Sequence, residues 1–119
     1  MPHSIVQVMS NDFMNSQVLE LRRGTIVLAA LSLLHSPHYG YGLLQTMESA
    51  GVPVDAGTLY PLLRRLEKQG VLESSWETAE VRPRKYYQLS KQGEQYYHGL
   101  AAEWAGMAGI VKKLIKEES

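Results

Sequence analysis

The sequence predicts a mainly α-helical fold with one small β-hairpin and a long terminal helix. Three observations predict it. Before Val71, apolar residues recur at helical spacing in three segments separated by Pro and Gly. Two short runs, Val71 to Glu77 and Arg84 to Leu89, are rich in Tyr, Trp, Val and Leu and read as strands. From Ser90 on, an apolar stripe advances in steps of three and four almost to the end of the chain. At 119 residues there is room for one domain and one core.

Residues 1–11 show no firm period and are expected to form an arm. Asn11 or Asp12 can cap the first helix, which runs to His35 with Met14, Val18 and Leu21 on one stripe. Beyond Gly24 and Thr25 this helix becomes apolar on nearly every side, from Ile26 to Leu34, and is expected to be buried between its own domain and something else. Ser36-Pro37-His38 stops it. Tyr41 to Ala50 forms the second helix, with Leu43, Leu44 and Met47 inward, closed by Gly51-Val52-Pro53. Asp55 then caps a third helix running to Gln69 and closed by Gly70. Leu59, Leu62, Leu63 and Leu66 form its buried face; Gly57, Tyr60, Arg64 and Lys68 lie opposite.

Pro61 leaves the start of this helix open. If Asp55 is the cap, Pro61 lies beyond the first turn and removes a hydrogen bond. If Thr58 is the cap, Pro61 sits in the first turn at little cost. The two strands follow, with Thr78 to Pro83 as an exposed tip. Ser90 caps the last helix, which continues to about Lys116 and would reach roughly 40 Å. Three helices, a hairpin and a long helix in this order make a winged helix-turn-helix with a C-terminal dimerisation helix. Its boundaries fall at 1–11 for the arm, 12–89 for the winged head and 90–119 for the dimerisation helix.

Composition narrows the function. Twelve Lys and Arg balance twelve Asp and Glu, so nucleic-acid binding has to come from a local cluster. Cysteine is absent, which excludes disulfides, thiol catalysis and Cys-ligated zinc. The longest apolar run is too short to span a membrane. No Lys or Arg precedes Arg22 to open a signal peptide, so the chain is expected in the cytoplasm. No nucleophile elbow, phosphate-binding loop or dinucleotide fingerprint is present, and neither an enzyme nor a cofactor is expected. His35 and His38 lack a third ligand near in sequence and read as surface residues, with no metal site.

The cluster lies on the third helix and the hairpin. Thr58, Tyr60, Arg64, Arg65 and Lys68 occupy the helix start or its outer face, where hydroxyls can bond phosphate and Arg64 can reach a guanine edge or a phosphate. The hairpin adds Arg82, Arg84 and Lys85. From Asp55 to Lys91 there are seven basic residues against five acidic ones, and Glu67 and Glu73 are expected to face elsewhere.

These blocks resemble the PadR family of bacterial transcriptional regulators, in particular its short type with a single C-terminal helix. The resemblance spans about Leu21 to Leu114. It rests on Leu21-Arg22-Arg23-Gly24-Thr25, on Tyr39-Gly40-Tyr41-Gly42, on the run from Gly57 to Gly70, and on Arg84 to Leu89 with Ser90-Lys91-Gln92-Gly93. It implies a homodimeric repressor of double-stranded DNA, with Thr58, Tyr60, Arg64, Arg84 and Lys85 facing the duplex. The tip, Glu77-Thr78-Ala79-Glu80-Val81-Arg82-Pro83, departs from the glycines and extra arginines often found there.

The last helix points to the second partner, another copy of the chain. Tyr97, Leu100, Trp104, Met107, Val111 and Leu114 form a heptad stripe, while Gly99, Gly106 and Gly109 weaken the helix in isolation. A twofold dimer is expected in which this stripe meets the partner's first helix at Leu28 and Leu31. In some short family members the tryptophan matching Trp104 lines a pore for flat hydrophobic compounds, so a planar hydrophobic ligand is a further expected partner. Two rival readings are a ligand-binding dimer with secondary DNA function and a winged helix used for protein contacts.

Overall fold

The computed structural model describes residues 3–79 and 81–118. Glu80 of the hairpin tip lies outside the described residues. The order is α1 (His3–Leu33), β1 (His38–Tyr39), α2 (Gly40–Ser49), α3 (Ala56–Lys68), β2 (Leu72–Glu77), β3 (Arg84–Leu89) and α4 (Lys91–Glu118).

Helix α1 begins at His3, not at Asp12, so residues 3–11 belong to it and do not form a separate arm. The physical reason is that no Gly or Pro interrupts residues 3–23. Its last turns supply Ala30, Leu31 and Leu34, all fully buried. Leu31 is therefore not at a dimer surface: it packs inside its own protomer, and of the expected pair Leu28 is the one only half-buried. The chain end of α1 is pinned to the sheet, because Leu89 N–H donates to the Leu34 carbonyl (2.8 Å) and the Gln88 amide to the His35 carbonyl (3.1 Å).

Helices α2 and α3 end in the same way. Gly51 (φ 90°) and Gly70 (φ 84°) occupy the left-handed region. The N–H groups of Val52 and Val71 then reach back to Met47 and Leu66 carbonyls, each at 2.9 Å. Asp55 is the cap of α3: its carboxylate accepts from Thr58 N–H at 2.8 Å. Pro61 consequently sits inside the helix, and with no N–H it leaves the Gly57 carbonyl without the usual helical bond. Leu59, Leu62, Leu63 and Leu66 bury the apolar face of α3, each burial stabilising by roughly 2 kcal/mol.

The hairpin is the larger part of a three-stranded antiparallel sheet in the order β1-β3-β2. Strand β1 was not expected from the sequence. It pairs His38 with Tyr87 and Tyr39 with Tyr86, while β2 runs from Leu72 opposite Leu89 to Glu77 opposite Arg84. Leu72, Tyr87 and Leu89 close the core from the sheet side.

Ser90 caps α4, accepting from Gly93 N–H at 2.9 Å and donating to the Gly70 carbonyl at 2.6 Å. Tyr97 and Leu100 pack on the core; beyond them the helix leaves the head. The molecule measures 62 × 30 × 24 Å. Among the described residues no helix is long and apolar enough to cross a membrane.

Candidate nucleic-acid interface

Strand β1 places Tyr39 beside α3 and under the hairpin. The Arg84 guanidinium stacks 4.4 Å above the Tyr39 ring, which meets Tyr86 edge-on at 5.6 Å. Tyr60 leans across to Gly40 so closely that a Cβ there would lie 2.9 Å from its ring. Tyr39, Tyr60, Arg64, Trp76, Arg84 and Lys85 thus line one cleft of about 340 Å³ between α3 and the tip half of the hairpin. Arg64 is exposed at its edge, and Tyr60 and Arg84 are half-buried.

The other expected contacts divide between two sides of α3. Arg65 shares a shallow depression with Thr58, Leu62 and Arg23 of α1, away from the Arg64 cleft. Thr58 and Lys68 are exposed at opposite ends of the helix, and Arg82 is exposed near the wing tip. The Thr58 hydrogen bonds hold the Asp55 carboxyl below its usual range, so the N-terminus of α3 already has an anionic cap.

Lys85 also lines the Arg64 cleft, and Glu67 turns toward it. Glu67 does not face elsewhere: one carboxylate oxygen accepts from Lys85 Nζ at 2.8 Å and the other from the Ser74 hydroxyl. Hydrogen bonds from Lys85 and Ser74 pull the Glu67 pKa down, and the bond to Glu67 raises that of Lys85. Each side chain of the pair is about 30 % exposed (29 % and 31 %), and Lys85 also lies 5.1 Å over the Tyr87 ring. The Lys85 ammonium is therefore paired with Glu67 on the wall of the cleft that Arg64 and Arg84 also line. Glu73 is exposed and lines no part of the Arg64 cleft.

Sequence reasoning missed Trp76, which is 62 % exposed at the end of β2. The alternation of β2 put it on the Leu72 side, but the core ends before it. It also missed Tyr39, whose position depends on a two-residue strand.

A second surface lies at the other end of the molecule. Trp104, Met107, Val111 and Leu114 are about half exposed or more along α4. Trp104 and Met107 line an apolar groove of about 520 Å³ against Leu21, Thr25 and Leu28 of α1. Where α1 ends and α4 begins, His35 Nδ1 lies 3.0 Å from the Glu94 carboxylate, with its ring edge-on to Tyr97. Among the described residues no group of three His, Cys, Asp or Glu is arranged to hold a metal ion.

The Transcriptional regulator PadR-like family model matches residues 27–99. A PadR family transcriptional regulator from Eggerthella lenta DSM 2243 is 45 % identical with a TM-score of 0.82, over 88 % of this chain and 94 % of that one. A PadR-like transcription factor from Bacteroides fragilis gives 34 % identity and a TM-score of 0.68, over 84 % of this chain and 98 % of that one. A transcriptional regulator of Mycobacterium tuberculosis is 38 % identical over 55 residues, which is 46 % of this chain and 51 % of that protein. The matched region runs from the second half of α1 into α4 and takes in the whole head that carries the Arg64 cleft, so the chain belongs to the PadR-like family of transcriptional regulators.

Proposed function

We propose that two copies of this chain join through α1 and α4 and deliver a pair of winged heads to a pseudo-palindromic operator in the cytoplasm, where their occupancy represses transcription. The observation that carries the reading is the separation of two unlike surfaces on one molecule. Exposed cations gather on α3 and the wing, and large apolar side chains lie exposed along α4. A stripe of this length left in water favours a second copy as its cover. Two α3 helices related by a twofold axis would enter successive major grooves about 34 Å apart.

Thr58, Tyr60 and Arg64 face the bases or the nearest phosphates in this reading, and Arg65, Lys68, Arg82 and Arg84 neutralise backbone charge. The groove beside Trp104 supports a planar hydrophobic ligand that releases DNA, because its walls are almost wholly apolar. The test is binding of the full chain to labelled duplexes across a salt series. Log affinity should fall linearly with log salt, with a slope of about −0.9 per phosphate contact. A flat response removes the mechanism. Fluorescence quenching by a planar dye without release of bound DNA would favour a ligand-binding dimer instead.

A further inference from the structure

One carboxylate of α3 bonds both strands of the hairpin. Glu67 is on α3, Ser74 on β2 and Lys85 on β3, and the two oxygens of Glu67 are divided between the other two. Glu67 follows Arg64 by a single helical turn, and Lys85 is next to Arg84 in the chain. The junction between the cation on the helix and the cation on the wing is thus bridged by a partly buried ion pair.

We propose that Glu67, Ser74 and Lys85 form a clamp that fixes the angle of the wing to the recognition helix, so that Lys85 is a positioning residue for DNA and not a phosphate contact. The inference rests on the DNA-binding reading above and deepens it. Apart from this bridge, the hairpin beyond Leu72 and Tyr87 has little buried apolar surface: Trp76 and Val81 are exposed. Strand β1 and the Arg84–Tyr39 stack tie β3 to the head, but β2 is the outer strand of the sheet, so its angle to α3 needs a further attachment to hold one orientation. The ion pair provides it, strengthened by partial exclusion of water.

The sign of one substitution separates clamp from contact. Glu67→Gln removes a negative charge near the duplex and releases Lys85. If Lys85 serves phosphate, the variant should bind more tightly, since a competing negative charge is gone, and Lys85→Met should flatten the salt slope by about 0.9. If Lys85 serves the clamp, the variant should bind more weakly, on the order of fivefold, with the slope unchanged. Lys85→Met should weaken binding similarly, again without flattening the slope.

The experiment uses the full chain and a fluorescent duplex selected by the wild type from a random pool, read by anisotropy across a salt series. Hydrogen exchange on the same proteins without DNA supplies the second readout. Amides of β2 and β3 should exchange faster in Glu67→Gln and Lys85→Met while those of α4 hold, with Ser74→Ala as a milder variant in the same direction. Tighter binding by Glu67→Gln, a flatter slope for Lys85→Met, or unchanged hairpin exchange in both overturns the clamp while the DNA reading stands. A wild-type chain that retains no duplex at low salt overturns the DNA reading and the positioning role together.

Discussion

Gly93→Ala is expected to destabilise the protein although alanine is the better helix former by about 1 kcal/mol. Gly93 is buried in the first turn of α4, against the start of β2 and the end of β3. A methyl group there would lie 1.9 Å from the Val71 carbonyl oxygen and 3.2 Å from Leu89 Cδ2. The obstacle is backbone, so relief requires the β2 entrance and the first turn of α4 to part by about an ångström. That carbonyl accepts from Ser90 N–H at 3.0 Å, and Gly93 N–H itself donates to the Ser90 hydroxyl at 2.9 Å. Overpacking of this kind costs about 1–3 kcal/mol, and each loosened hydrogen bond adds about 1 kcal/mol. The net expectation is a loss of about 3 kcal/mol. Urea unfolding followed by helical circular dichroism at fixed protein concentration measures it. Gly99→Ala, whose Cβ would meet nothing within 4 Å, should move the midpoint the other way. An unchanged or higher midpoint for Gly93→Ala would refute the steric argument.

Arg64→Ala should weaken binding to a selected duplex by roughly 1–3 kcal/mol if the guanidinium reads a base; an equal loss on random duplex, measured by competition, would make it a backbone contact. Met107→Asp places a charge in the exposed α4 stripe and should yield monomers in sedimentation equilibrium with the helical signal retained; a dimer of undiminished strength would remove α4 from the interface. Acid should act through Glu67, whose folded pKa is depressed, chiefly by Lys85. Its stabilisation is complete above the ordinary value of 4.5 and is lost as pH falls through the folded value, so thermal midpoints of wild type and Glu67→Gln should converge on acidification. Lys85, raised by the same bond, gives stabilisation that is complete below 10.5 and lost as pH rises through its folded value.

What was legible in the sequence was what local chemistry decides. The leucines of α3 repeat at i, i+3, i+4 and i+7, and their burial follows from spacing alone. Gly51 and Gly70 announced the helix ends because few other residues accept a positive φ. Pro61 was ambiguous because Asp55 and Thr58 are both good caps; the Asp55 carboxylate bonding Thr58 N–H decides it. Strand β1 was invisible because two residues carry no period, and His38-Tyr39 becomes a strand only by borrowing the edge of β3. The Glu67–Lys85 pair joins residues 18 apart in different elements, and no pattern within either element signals it. Leu28 and Leu31 looked equivalent in an all-apolar run; only the direction of α4 tells which one faces outward.

The extended α4 is in effect a cantilever. With a rise of 1.5 Å per residue, its end at Glu118 stands about 27 Å beyond Leu100, the last of its residues packed on the core. A tilt of about 10° there carries the tip by about 5 Å, more than the thickness of a base pair. In the proposed dimer, joined along such arms, small changes of side-chain volume in the groove beside Trp104 would become large changes in the distance between the heads. The fit to a fixed helical repeat would then be governed from a place that touches no nucleotide.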